Sequence, residues 1–226
     1  MNKHLLLPIA CILLTLTAFT QDCANYLFLQ KNKTIEMTIY NKKGEPNGLQ
    51  VYQVSNVAND AGVTTASLNS EMFDKKGKSI SKAASTVKCN GGVMMIDMKM
   101  MLPQQQAEKV GSIQAKSDNI YLLYPANMSV GDNLKDGNFT MDMNSGGIPE
   151  TVTMIISNRK VEAKESVTTT AGTWDCFKIS YQGKTSVKMG PIPINMNIDG
   201  VEWYAPGFGV IKTQSKYGGT AITSIK

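Results

Sequence analysis

The chain has almost no imidazole and almost no guanidinium. Its one histidine is His4 and its one arginine is Arg159. His4 falls in an N-terminal segment that reads as a cleavable leader, so the exported chain would keep no side chain that titrates near neutral pH. That argues against nucleophile systems in which histidine is the base. It also removes the usual ligands of catalytic zinc. The sequence has no glycine-rich phosphate loop opening a helix, no zinc-type cysteine spacing and no calcium-loop pattern. From these absences we expect no catalytic residues, no metal and no cofactor, hence a non-enzymatic protein. The basic residues are nearly all lysines and are scattered, in a chain of formal net charge +5. Nucleic-acid readers favour clustered basic residues with arginine forks, so no nucleic-acid partner is expected.

Residues 1–20 carry the features of a secretory signal. Lys3 and His4 form a short basic start, Leu5 to Phe19 is almost wholly apolar, and Ala18-Phe19-Thr20 places small residues for cleavage before Gln21. The apolar run is shorter than the roughly 20 residues a membrane span needs, and no other stretch competes. A lipid anchor is disfavoured: Cys23 follows Gln21-Asp22 rather than a small residue, and use of Cys11 would leave the apolar Ile12–Phe19 on the chain. The expected location is periplasmic or secreted, with residues 21–226 forming one domain.

Three cysteines would survive cleavage: Cys23, Cys89 and Cys176. An oxidising compartment favours one pair and one free thiol. Cys176 sits inside a strand pattern whereas Cys23 and Cys89 lie near element ends, so the favoured pair is Cys23–Cys89, with Cys176 a buried thiol.

The hydrophobic period is two. Ile35, Met37 and Ile39 alternate with Thr34, Glu36 and Thr38; Phe177, Ile179, Tyr181, Gly183, Thr185, Val187 and Met189 form one stripe; Ile194, Met196 and Ile198 alternate with Asn195, Asn197 and Asp199. This is the signature of antiparallel strands with one buried face and one wet face. Asn41-Lys42-Lys43-Gly44 and Asp74-Lys75-Lys76-Gly77 read as hairpin tips built on the same chemistry. One short helix is expected over 103–110, and residues 118–137 mark a soft division within the domain.

Val93 to Leu102 places Met94, Ile96, Met98, Met100 and Leu102 on one stripe. Methionine adapts to irregular ligands, which makes Met94, Met98 and Met100, with Trp203, candidates for the lining of an apolar groove. The competing reading is ordinary core. Among the acids, Glu202 stands out beside Trp203 and Tyr204 and just before a glycine-rich turn.

Two segments carry a family signature. Val167–Tyr181 (VTTTAGTWDCFKISY) and Val201–Lys212 (VEWYAPGFGVIK) together resemble the TapB-like family, exported bacterial β proteins of unknown function. The signature positions are Gly172, Asp175, Cys176, Glu202, Trp203, Tyr204, Gly207 and Gly209. The resemblance implies an all-β fold, a strongly curved antiparallel sheet shaped like an open half-barrel or clam, similar to periplasmic lipoprotein carriers. Within it Trp203 is expected to pack inside the curve. Fold does not fix function. The leading expectation is an apolar concavity that binds a lipid-like or other hydrophobic molecule. Its competitor is a structural or assembly factor of the envelope, with a self-filled core and a protein partner. A carboxylate-based glycoside hydrolase is the remote third.

Overall fold

A computed structural model of the chain describes residues 23–101, 120–145, 148–189 and 192–226. The leader over 1–20 and the helix expected over 103–110 lie outside the described residues. Thirteen strands follow in chain order: β1 (Thr34–Asn41), β2 (Pro46–Asp60), β3 (Val63–Asp74), β4 (Ser79–Asn90), β5 (Val93–Asp97), β6 (Tyr121–Tyr124), β7 (Gly137–Ser145), β8 (Ile148–Thr169), β9 (Gly172–Met189), β10 (Ile192–Asn197), β11 (Gly200–Ala205), β12 (Gly209–Ser215) and β13 (Gly218–Ile225).

All of them belong to one antiparallel sheet, in the order β6-β5-β4-β3-β2-β1-β13-β12-β11-β9-β8-β7, with β10 paired to the far end of β9. The first and last strands, β1 and β13, lie side by side. From that ladder the sheet curls away in both directions until its edges, β6 and β7, face each other. The result is a nearly closed barrel with one unsealed seam. The expectation of a strongly curved all-β sheet is met, and the curvature carries it past a half-barrel. Bulges supply that bend, with register breaks in the ladders of β1, β2, β3, β8 and β11; each extra residue increases local twist.

The two lysine-bearing tips fold alike. Asn41 Oδ1 accepts from the Lys43 and Glu45 amides at 2.8 and 3.1 Å, and Asp74 Oδ1 accepts from Lys76 and Lys78 at 2.8 and 2.9 Å. Gly44 and Gly77 follow at φ 79° and 78°. A left-handed residue after an Asx-type turn closes these hairpins, which is why glycine stands there.

The inward stripe of β9 runs as the alternation predicts: Phe177, Ile179, Tyr181, Thr185 and Val187 are buried. The methionine-rich segment departs from it. The strand stops at Asp97, and Met98–Met101 is a 3-10 turn. Asp97 causes the stop, because its Oδ1 accepts the Lys99 amide at 2.9 Å while its other oxygen meets Lys99 Nζ at 3.2 Å. A side chain that captures an amide two residues on competes with the ladder.

Candidate functional site

The polar centre of the barrel is built on a bulge. On β8 the register slips between Ser157 and Lys160, and Asn158 takes φ 52°. The slip turns Arg159 into the interior, where it is 1% exposed. Its Nη1 donates to the carbonyls of Leu123 on β6 and Lys135 in the connector to β7, both at 3.1 Å. Its Nη2 meets Glu202 Oε1 on β11 at 3.3 Å. The same bulge exchanges backbone bonds with that connector: Leu134 N donates to Arg159 O at 2.8 Å and Val161 N to Asp132 O at 2.9 Å. The one arginine therefore ties β8, β11, β6 and the segment that crosses the seam.

Glu202 is 2% exposed. Tyr124 Oη donates toward both its oxygens at 3.0 Å. The Tyr124 ring stacks on Tyr204 with centroids 4.5 Å apart, and the Arg159 guanidinium stands 4.7 Å from the Tyr124 centroid. Tyr204 Oη reaches Met94 Sδ at 3.8 Å. Burial, then the Glu202 charge, push the Tyr124 phenol well above its ordinary value, with Arg159 opposing. Burial likewise lifts Tyr204, with Tyr26 adding to it, and lifts Tyr181 to about 12. For Arg159 burial alone would lower the pKa, but Tyr124 and Glu202 hold it above the usual guanidinium value. The charged guanidinium and the neutral phenols thus support one another in a buried cluster. The Glu202 oxygens are held by Arg159 and Tyr124, which joins β11 to β8 and β6.

The residues singled out by sequence fall in several places. Met94 and Met98 are 0% exposed and fill the interior beside this cluster, while Met100 is half-buried at its rim. Trp203 is itself buried with the core, 8% exposed, on the side of β11 opposite to Glu202 and Tyr204. There Lys212 and Lys178 stand 4.8 and 5.6 Å from its ring, and its indole N–H donates to the exposed Glu165. Cys23 and Cys89 form a disulfide that ties the N-terminal 3-10 turns to β4. Cys176 is a buried free thiol, raised to about 12 by burial and then by Asp175 and Glu165. Asp175 is exposed, and Gly172 opens β9 against the Trp174 ring. Gly207 turns the chain at φ 73°; a Cβ on Gly209, at φ 135°, would stand 3.2 Å from the Phe28 ring.

Sequence reasoning noted Arg159 only for its rarity and missed its pairing with Glu202. A signal was present: the inward stripe of β8 runs on even numbers through Val152, Met154 and Ile156 and resumes on odd numbers at Val161. Such a phase change requires a bulge, and Arg159 lies inside it.

The fold is thus a nearly closed β-barrel with one unsealed seam and a buried Arg159–Glu202–Tyr124 cluster in its interior. The chain belongs to the DUF3108-like family, whose model matches residues 30–224. This agrees with the broader part of the resemblance drawn from sequence; the TapB-like name rests on that resemblance alone. Two solved structures share the fold. One, from Bacteroides fragilis, is described as a candidate exported protein with a YmcC-like fold; it is 21% identical, covers 87% of this chain and 96% of its own, and superposes with a TM-score of 0.68. The other, from Parabacteroides distasonis, is described as a candidate lipoprotein; it is 21% identical, covers 91% of this chain and 100% of its own, with a TM-score of 0.71. No curated protein matches the chain. Among the described residues no helix is long and apolar enough to cross a membrane.

Proposed function

We propose that this is an exported, non-catalytic protein of the cell envelope that works through its surface, with a core filled by its own side chains. The carrying observation is the packing at the place where a lipid-like ligand would sit. Met94 and Met98 are fully buried there, beside the Arg159–Glu202–Tyr124 latch. A ligand entering this space would have to displace side chains packed at interior density and uncouple a buried ion pair. The address is supported by the leader pattern of residues 1–20 and by fold relatives described as exported and as a lipoprotein. A structural or assembly role fits such a filled barrel better than a carrier role, for which the interior would need an open apolar chamber.

Native mass spectrometry on the protein purified from its own envelope tests this reading. The expected spectrum is the bare polypeptide mass. A bound mass that solvent extraction releases as lipid would overturn it and restore the carrier interpretation.

A further inference from the structure

Lysines that are scattered along the sequence are gathered by the fold. The tips of β1–β2, β3–β4 and β12–β13 are neighbours at one end of the barrel, because β4, β3, β2, β1, β13 and β12 follow one another in the sheet. These tips carry Lys42, Lys43, Lys75, Lys76, Lys78 and Lys216, all exposed. Neighbouring tips are two strands apart, so the row repeats at about 10 Å and is about 20 Å long. The four tips at the other end, 60–63, 90–93, 169–172 and 205–209, carry no lysine and a single acid, Asp60. Three acids stand beside the row. Glu45 Oε2 accepts from Asn41 Nδ2 at 2.9 Å, and Asp74 Oδ1 accepts the two amides of its turn. Asp199, next to the β12–β13 tip, accepts the Gly183 amide at 3.3 Å. Six lysines against these three acids leave an excess of three positive charges.

The row is held at fixed spacing. Asn41 and Asp74 each lock their own turn, and Gly218 lies so close to the Tyr40 carbonyl that no Cβ fits between the first and third tips. A Cβ on Gly48 would likewise stand 2.7 Å from Phe73 O, between the first and second. Charges already in place cost less to order on binding. Between those two tips lies a cavity of about 260 Å³, with Asn47, Asp74, Lys75 and Lys76 in its lining. On the third tip Tyr217 is 55% exposed, and Lys216 Nζ stands 5.1 Å from its ring centroid.

The shape selects among anionic partners. Tyr181, Gly200, Ser215, Gly218 and Asn41 are successive cross-strand partners and so mark one level of the sheet. β9 runs eight residues past that level, about 26 Å, flanked by β8 and β10. A flat bilayer approaching this end meets that wall before it meets the row. Protein interfaces are enriched in aromatic residues, methionine and arginine and depleted in lysine, the reverse of these tips. Nucleic-acid phosphates and bases call for arginine forks. We propose that the row binds a linear acidic polysaccharide, with the lysine ammonium groups on its repeating anionic groups and Tyr217 against the C–H face of a sugar ring. The inference rests on the reading that the protein acts through its surface, but the two fail separately: a lipid mass in native spectrometry sinks the filled-core reading and leaves polysaccharide binding open.

The test is calorimetric titration of the purified protein with polygalacturonate, a chain of carboxylated sugars, beside neutral dextran, polyglutamate, single-stranded DNA and phosphatidylglycerol vesicles. Wild type is expected to bind polygalacturonate at low salt, to weaken as salt is raised, and to ignore dextran. K42Q/K43Q and K75Q/K76Q change only exposed side chains and should keep the melting temperature. Each should weaken binding about ten-fold, roughly three-fold per lysine. Y217A should weaken it further on polygalacturonate than on polyglutamate. K184Q/K188Q, on the projecting wall, should bind as wild type does. Wild type that ignores polygalacturonate overturns the proposal, as do tip variants or a Y217A that bind it like wild type. An equal loss in K184Q/K188Q would mean net charge alone and overturns it too. So does tighter binding of polyglutamate, DNA or vesicles, which would assign the row to a protein, a nucleic acid or a membrane.

Discussion

Replacing Arg159 by methionine removes the cation and keeps most of the volume. Three losses follow. Glu202 becomes a buried carboxylate without a counter-charge, and the carbonyls of Leu123 and Lys135 lose their donor. Breaking a buried ion pair from one side costs about 3–5 kcal/mol. The two carbonyls would each add roughly 1–3 kcal/mol if they stayed dry, but water entering at the seam limits this. Against a total stability of about 5–15 kcal/mol, a loss near 4 kcal/mol moves the urea midpoint far toward zero without unfolding every molecule.

The assay is urea unfolding followed by fluorescence, together with hydrogen exchange on residues 121–124. If Arg159 holds the seam, R159M exposes the β6 amides to exchange more than the global loss explains. R159K keeps a charge but not the planar fork, so it should lie between wild type and R159M. In a double-mutant cycle, E202Q should restore part of what R159M loses, with a coupling of at least about 1.5 kcal/mol. The reasoning would be refuted by an R159M loss below about 1 kcal/mol, by additive R159M and E202Q effects, or by unchanged exchange in β6.

Other outcomes follow from the same geometry. Cys23 and Cys89 are 66 residues apart, so C23S/C89S should lose about 4 kcal/mol by loop entropy, read as a lower melting temperature that reductant reproduces in wild type. The Cys176 thiol, raised to about 12, should ignore Ellman's reagent at neutral pH until urea unfolds the chain. Tyr52 and Tyr181 are raised to about 12, chiefly by burial. A raised folded value means the native state keeps its protons after the unfolded state has lost them, so this stability is complete below about pH 10 and declines as the pH rises from 10 through 12. Absorbance titration of the phenols should then show ionisation coincident with alkaline unfolding, and independent early ionisation of these tyrosines would contradict their burial. A Cβ at Gly218 would overlap the Tyr40 carbonyl oxygen at φ 129°, so G218A should lose more than about 3 kcal/mol or fail to fold.

The sheet was legible in the sequence because alternation reports one buried face, and β9 obeys it from Phe177 to Val187. The same rule misled at β10, whose stripe of Ile194 and Met196 predicts burial and finds solvent. Alternation tells which side of a strand is apolar, but whether anything covers that side is decided by strands distant in sequence. It says less at β11, where Glu202 contests the interior with Trp203 and Tyr204 and all three are buried. A glutamate can win that contest only if a cation waits for it, and Arg159 lies 43 residues away. The ending of β5 turns on a single aspartate rather than on the methionines around it, and the period of two runs straight through it.

The rarity of arginine acquires a physical meaning at the seam. Every other basic residue in the chain, apart from His4, is a lysine. Where β6 and β7 face each other without a shared ladder, edge carbonyls are left without strand partners, and each must find a donor or cost free energy. A lysine could answer one charge and would have to keep its three donors satisfied in a space with few acceptors. A guanidinium presents its donors in a fixed plane, and at Arg159 that plane meets Leu123 O and Lys135 O with one nitrogen and Glu202 with the other. The bulge after Ser157 aims it, and Tyr124, itself next to the edge, completes the carboxylate's bonds. Closing a barrel by side chains instead of by a ladder leaves the two edge strands without a common hydrogen-bond register, so the latch must carry what the ladder does elsewhere. On that argument the lowest-energy opening of this protein is a parting of β6 from β8, and it begins when Arg159 lets go.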